Sequence, residues 1–148
     1  MGKMNEADKA ILNEAYRNCK IAVDAIHNVL SKVGDEDLSL DLNKHAAKYR
    51  KYMNLSEKQL RLNGEKPEED GIVTKAKQWA GMQASTLLNT STSHIANLMI
   101  QGNTRGITDM MKVLHKNKSA QQKYCEMANE LMDFEQEVIE QLKYYYNH

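Results

Sequence analysis

An all-α protein, built as a four-helix bundle with one long crossover, is the fold class that this sequence predicts. Three observations lead to it. The 148 residues contain a single proline, Pro67, which lies in the most polar stretch of the chain. Outside that stretch, apolar residues recur at three- and four-residue spacing, as on one face of a helix. Two long helical segments precede the proline, and one short and two long segments follow it.

The first two helices are predicted to form an antiparallel pair. The first covers residues 5–33 and ends before Gly34, because glycine favours the conformation that closes a helix. The second covers residues 35–63 and begins with acidic side chains, which favour the positive end of the helix dipole. Only a short turn separates the two segments, so we expect antiparallel neighbours.

A shorter helix is predicted over residues 72–88, after Pro67 and Gly71. The polar stretch 89–93 contains several good N-cap residues, which indicates that one helix stops and another begins there. Residues 64–91 would then include a helix long enough to run back along the bundle. This crossover makes the second and fourth segments parallel, and it makes the second segment antiparallel and adjacent to the last.

The final two helices are predicted over residues 93–117 and 120–145. Gly102 and Gly106 fall on the apolar stripe of the first of them, although each glycine costs about 1 kcal/mol relative to alanine. In one interpretation, close packing against a bulky side chain such as Tyr49 or Tyr124 offsets this cost. In the other, the two glycines open a pocket for a ligand.

The amino-acid composition limits the classes of function that we expect for this protein. Residues 1–148 are expected to form one domain, with 20 basic and 20 acidic residues and a formal net charge of zero. This balance argues against a nucleic-acid binder, and no apolar run approaches the roughly 20 residues that span a bilayer. We therefore expect neither nucleic acid nor membrane as a partner. Cys19 and Cys125 show no metal or redox spacing, which favours reduced thiols in a cytoplasmic protein.

Charge is distributed unevenly between the second and the last helix. Residues 44–61 carry six basic side chains and one acidic one, whereas residues 126–140 carry six acidic side chains and no basic one. Pairing of these two faces would fit the crossover topology. Two solvated faces of opposite sign are the other interpretation, since exposed ion pairs contribute little to stability.

Two segments carry a resemblance to a known family, SHIANLMIQGNTRGI at 93–107 and FEQEVIEQLK at 134–143. Together with four long helices and a crossover between the second and third of them, they resemble bacterial proteins of the ferritin-like superfamily. The resemblance implies a ferritin-like four-helix bundle with a short extra helix in its crossover. It implies a fold rather than an activity.

Metal-binding members of that superfamily hold two ions with inward carboxylates and Glu-x-x-His pairs. This sequence has no Glu-x-x-His, and the nearest arrangement is a single Asp24-x-x-His27. Glu135 is the one carboxylate near an apolar stripe. We expect it at the edge of that stripe, paired with a base of the second helix. The resemblance therefore implies a bundle without an intact di-metal site.

The leading hypothesis is a non-enzymatic structural or protein-interaction role without a cofactor, through self-association as a homo-oligomer. No nucleophile elbow, phosphate loop or zinc pair suggests an enzyme, and no catalytic residue is predicted. One alternative is a metal-binding or oxidative-stress protein that holds iron or manganese. Its irregular ligand set would be drawn from Asp24, His27, Glu57, His94, Glu130 and Glu135. A second alternative is a carrier of a small apolar ligand, with a pocket beside Gly102 and Gly106 lined by methionine and tyrosine.

Overall fold

The computed structural model describes residues 3–69 and 89–146. These ranges contain four α-helices and no strand: α1 (Glu6–Leu30), α2 (Glu36–Leu62), α3 (Thr92–Lys116) and α4 (Gln122–Tyr146). The all-α class with four long helices is confirmed for this part of the chain, and each predicted boundary lies within three residues of the observed one. The short helix predicted over residues 72–88 lies outside the described residues, so its path remains a prediction.

The helix ends follow from local side-chain chemistry. Asn5 caps α1: its side chain accepts a hydrogen bond from the Asp8 amide at 2.8 Å, and the Asp8 carboxylate accepts one from the Asn5 amide at 3.0 Å. This reciprocal arrangement is a capping box. Gly64 follows α2 with a φ of 76°, a conformation that glycine adopts without steric cost. Gly34 does not play that role, because α1 ends earlier, at Leu30, with Ser31 as its cap.

The apolar stripes of the four helices meet in one core. α1 packs most extensively against α2, and α3 against α4, while α1 also contacts α3 and α4. The largest fully buried side chains come from all four helices, among them Ile11, Leu42, Ile95 and Leu131. None of the described helices carries an apolar stretch that could cross a membrane.

Polar contacts show that α2 and α4 run antiparallel along a shared seam. As the residue number rises along α2, it falls along α4, so the helices point in opposite directions. The contacts join Asp41 to Tyr145 at 2.5 Å, His45 to Gln141 at 2.7 Å, Tyr49 to Glu135 at 3.2 Å and Gln59 to Tyr124 at 3.3 Å.

Ion pairs do not join the basic side of α2 to the acidic side of α4. Lys44, Lys51, Asp133 and Glu137 are exposed, and none of them forms an ion pair within residues 3–69 and 89–146. Lys48 instead places its ammonium 5.0 Å from the centre of the Phe134 ring. The arrangement therefore matches two solvated faces of opposite sign.

The start of α1 is attached to the start of α4. The Asp8 carboxylate accepts hydrogen bonds from the Gln121 amide and from the Gln121 side chain, both at 2.7 Å. Asn5 adds a bond from its side chain to the Ser119 carbonyl at 3.3 Å. Burial raises the pKa of Asp8, but the hydrogen bonds from Asn5 and Gln121 outweigh it and lower that pKa below its ordinary value.

Candidate functional site: a polar cluster and its pocket

The middle of the bundle holds a polar cluster to which each helix contributes one side chain. Its members are Asn18 from α1, Tyr49 from α2, Asn103 from α3 and Glu135 from α4. Each is buried, and Tyr49 and Glu135 are only 1% exposed. A buried polar group is costly unless it is hydrogen-bonded, so the partners of these four side chains are informative.

Hydrogen bonds connect the cluster across three helices. The Tyr49 hydroxyl lies against the side-chain oxygen of Asn103 and 3.2 Å from Glu135 Oε2. Asn103 donates to the Met99 carbonyl at 2.8 Å, and Asn18 donates to the Gly106 carbonyl at 2.9 Å. Tyr49 has only one hydroxyl hydrogen, so it cannot donate to Asn103 and to Glu135 at the same time.

Protonation of Glu135 resolves this conflict. Burial raises the pKa of Glu135 to about 8, and the negative charges of Glu14 and Asp109 act in the same direction. The hydrogen bond from Tyr49 opposes this rise but does not cancel it. At neutral pH Glu135 is therefore mostly a neutral acid. It can donate to the Tyr49 oxygen, while Tyr49 donates to Asn103.

Gly106 makes the space that the Glu135 carboxyl occupies. A Cβ atom at this position would overlap Glu135 Oε2 and would lie 2.8 Å from Asn18 Oδ1. The glycine therefore packs against a carboxyl and an amide, rather than against the ring of Tyr49 or Tyr124. The glycine costs helix propensity, but it leaves the space in which the Glu135 carboxyl is buried.

Replacing Gly106 with alanine should displace the Glu135 carboxyl. Alanine gains about 1 kcal/mol of helix propensity, but overpacking at a buried site costs about 1–3 kcal/mol. We expect a net loss of up to about 2 kcal/mol in the free energy of unfolding, measured by urea denaturation. Gly34→Ala is the matched control, because a Cβ atom there meets nothing within 4 Å. A stabilised Gly106→Ala variant would contradict this account.

A pocket of about 320 Å³ adjoins the cluster between α1 and α3. All four cluster members and both glycines of the α3 stripe, Gly102 and Gly106, line it. It reaches the protein surface, because its lining includes exposed side chains. The remaining lining residues are Glu14, Arg17, Ile21, Ala22, Gln101, Arg105 and Asp109.

Two polar atoms of this lining have unused hydrogen-bonding capacity. Within the described residues, three buried side-chain polar atoms lack a partner, and two of them are Glu135 Oε1 and Arg17 Nε. Both residues line the pocket. Buried polar atoms without a partner are uncommon, and an unseen water, ion or ligand is a frequent reason. The pocket therefore offers one unused acceptor and one unused donor.

The pocket differs from the apolar carrier site that the sequence suggested. Tyr49 is in its lining, but no methionine from the described part of the chain is. Met99 and Met110 are instead buried in the apolar core. They occupy the inward positions of α3, whereas the side of α3 that faces α1 carries small and polar residues.

The six candidate metal ligands do not converge. Asp24 is half-buried, exposed His27 accepts a hydrogen bond from Arg50, and Glu57 forms an ion pair with Arg61 at 2.8 Å. His94 lies in the first turn of α3, and Glu130 is exposed on α4. Only Glu135 belongs to the polar cluster. In residues 3–69 and 89–146, no group of three or more His, Cys, Asp or Glu side chains could hold a metal ion.

Glu135 also differs from its expected setting. It lies in the core rather than at a stripe edge, and its partner on α2 is the Tyr49 hydroxyl rather than a base. Burial explains the difference, because a neutral acid paired with a hydroxyl costs less in the interior than an ion pair.

Sequence reasoning missed Asn18 and Asn103. A signal for Asn103 was present: it follows Met99 by four residues and therefore shares the apolar stripe of α3 with it. A polar side chain on such a stripe needs a buried partner. Asn18 is adjacent to Cys19 at the edge of the α1 stripe, where periodicity alone does not separate a buried position from an exposed one.

Comparisons with protein-family models, curated proteins and solved structures found no match to this chain. The ferritin-like resemblance therefore has no support from them, and function must be argued from the site itself.

Proposed function

We propose that this protein is a non-catalytic binding protein for a small zwitterionic molecule of amino-acid size, which occupies the pocket between α1 and α3. The observation that carries the proposal is the pair of buried, unpartnered atoms in its lining. Glu135 Oε1 and Arg17 Nε would be satisfied by a ligand that presents a donor to the first and an acceptor to the second.

The charges of the lining favour a ligand with both signs and no net charge. Glu14 and Asp109 supply carboxylates, while Arg17 and Arg105 supply guanidinium groups. Arg17 already pairs with Glu14 at 3.5 Å and with Glu68 at 3.6 Å, so its Nε is the donor that the ligand would engage. Glu135 adds little charge at neutral pH because its pKa is about 8. A carboxylate on the ligand suits the planar fork of a guanidinium, and an ammonium group suits the carboxylates.

Binding suits this site better than covalent catalysis. Burial raises the pKa of the Cys19 thiol well above its ordinary value, and burial likewise raises the pKa of the Tyr49 hydroxyl. Both groups therefore stay protonated at neutral pH, and a protonated thiol is a poor nucleophile. Both cysteines are free thiols, which fits a cytoplasmic location.

Thermal unfolding with added amino acids and betaines tests the proposal. Any ligand that binds only the folded state raises the unfolding midpoint, and isothermal titration would then give affinity and stoichiometry. We expect one member of the panel to bind with a stoichiometry of one. Arg17→Gln should weaken that binding about tenfold or more, because it removes a buried charged donor.

Arg61→Gln is the matched control, since among the described residues Arg61 forms an ion pair only with Glu57, on the surface of α2. It should bind the same ligand as tightly as the unaltered protein. If no zwitterion binds, or if Arg17→Gln binds as well as the control, the proposal fails. Binding of fatty acids instead would favour the apolar carrier, and stoichiometric metal in elemental analysis would favour the metal-binding alternative.

We also propose the ferritin-like crossover for the connection between α2 and α3. The contacts of Asp8 with Gln121 place the starts of α1 and α4 together. Since α2 returns antiparallel to α1 and α3 runs antiparallel to α4, α2 and α3 are parallel. Parallel helices that follow one another in the chain support a connection that returns along the bundle, as in the ferritin-like class.

A further inference from the structure

We propose that a second copy of this chain docks on the α2–α4 face, forming a two-fold symmetric dimer whose axis runs parallel to the helices. The α2–α4 face is defined by exposed residues on the solvent side of the α2–α4 seam. They are Lys44, Lys48, Lys51 and Leu55 on α2, and Glu126, Glu130, Asp133 and Glu137 on α4.

Exposed apolar side chains also concentrate on these two helices. In the described ranges six large hydrophobic side chains are exposed, and five of them belong to α2 or α4. They are Leu40, Leu55, Leu62, Tyr144 and Tyr146. Leu55 is the member of this set that belongs to the α2–α4 face, where it adds apolar area for a partner to cover.

Contacts along the seam fix which residues stand at the same height. His45 is level with Gln141, and Tyr49 is level with Glu135. Interpolation between these contacts places Lys48 level with Glu137. Continuing one turn along both helices, which run in opposite directions, places Lys51 level with Asp133.

Symmetry then determines what the two copies present to each other. A two-fold axis parallel to the helices lays α2 of one copy on α4 of the other without any shift along the axis. A two-fold axis across the helices would lay α2 on α2 and oppose lysine to lysine. Like charges in opposition disfavour an interface, so charge selects the first arrangement.

In the selected arrangement Lys48 faces the partner's Glu137, and Lys51 faces the partner's Asp133. Each contact occurs twice because the interface is isologous. None of the four forms an ion pair within the described residues, and Lys48 would exchange its contact with the Phe134 ring for the partner's Glu137. The dimer is closed, so no further copies are added.

Sedimentation equilibrium of the full chain tests the proposal. At pH 7 and low salt, the expected mass is twice the chain mass of 16.9 kDa, and higher salt should favour the monomer. Lys48→Glu with Lys51→Glu should weaken the dimer roughly 100-fold or more, and Asp133→Lys with Glu137→Lys should do the same. Circular dichroism and the unfolding midpoint would show that each variant is folded.

The decisive measurement is a mixture of the two charge-reversed variants. Each alone repels its own kind, but in the mixed pair both contacts again join opposite charges, so a heterodimer should form. Lys112→Glu with Lys116→Glu, on the exposed side of α3, is the matched control and should leave the dimer intact. The proposal is overturned if the unaltered protein stays monomeric, if reversal leaves the dimer unchanged, or if the folded variants do not associate when mixed.

Discussion

Glu135→Gln should stabilise the protein by about 4 kcal/mol at pH 8 and change its stability little at pH 4. Glutamine has the shape of the protonated acid and can donate to the Tyr49 oxygen in the same way. Unlike glutamate, glutamine cannot ionise, so it does not face the cost of placing a negative charge in the core. The mutation therefore removes a cost that the unaltered protein carries only when the pH is above the acidic range.

The direction follows from the two pKa values of Glu135. In the folded protein burial raises this pKa to about 8, whereas an unfolded glutamate loses its proton near pH 4.3, by about its ordinary pKa. The stability that the proton supplies is fully present below the unfolded pKa. It is lost as the pH rises toward 8, because only the unfolded state releases its proton in that window.

Urea denaturation at pH 4, 6 and 8 would measure this effect. The difference between Glu135→Gln and the unaltered protein should grow with each step. Glu57→Gln is the control: its carboxylate pairs with Arg61 at the surface, so the change should stay below about 1 kcal/mol at each pH. A Glu135→Gln variant less stable than the unaltered protein at pH 8 would show that the buried group is a stabilising carboxylate.

Asp8→Ala should cost about 3 kcal/mol and lower the unfolding midpoint by roughly 10 °C. Asp8 is fully buried and accepts hydrogen bonds from the Asn5 amide and from the amide and side chain of Gln121. Alanine leaves donors without an acceptor at the joint between α1 and α4. Calorimetry at pH 7 would measure both quantities.

Glu6→Ala is the control for Asp8→Ala. Glu6 is also an acidic residue in the first turn of α1, but it is exposed, and within residues 3–69 and 89–146 it forms an ion pair only with Lys9. Its loss should cost less than about 1 kcal/mol. Similar losses for both variants would mean that the helix dipole, rather than the joint with Gln121, accounts for the role of Asp8. Because the pKa of Asp8 is lowered, its contribution should disappear only as the pH falls through that lowered value.

The helices could be predicted from the sequence because their signals are local. Apolar periodicity and capping residues such as Asn5 and Asp35 act within one or two turns. The charge asymmetry of α2 and α4 could also be seen. Whether those charges pair within the chain depends on side-chain directions across the seam, and that required the structure.

The polar cluster could not be assembled from the sequence, because its members are brought together by helix packing. Asn18 and Gly106 are 88 residues apart in the chain, and Tyr49 and Glu135 are 86 apart. Glu135 had the sequence pattern of an edge residue. Its burial depends on the space that Gly106 leaves on another helix, which no local pattern encodes.

The same cluster limits how the two helical hairpins can fit together. A slide of α3 and α4 past α1 and α2 by one helical turn, about 5.4 Å, would keep most apolar contacts, since Leu, Ile and Met can replace one another. It would also move Glu135 away from Tyr49 and Gly106, and would leave an unpartnered carboxyl in the core. A misaligned bundle is therefore much less stable than the native one. Burial of Glu135 lowers the overall stability of the protein, but it also selects a single alignment of the hairpins.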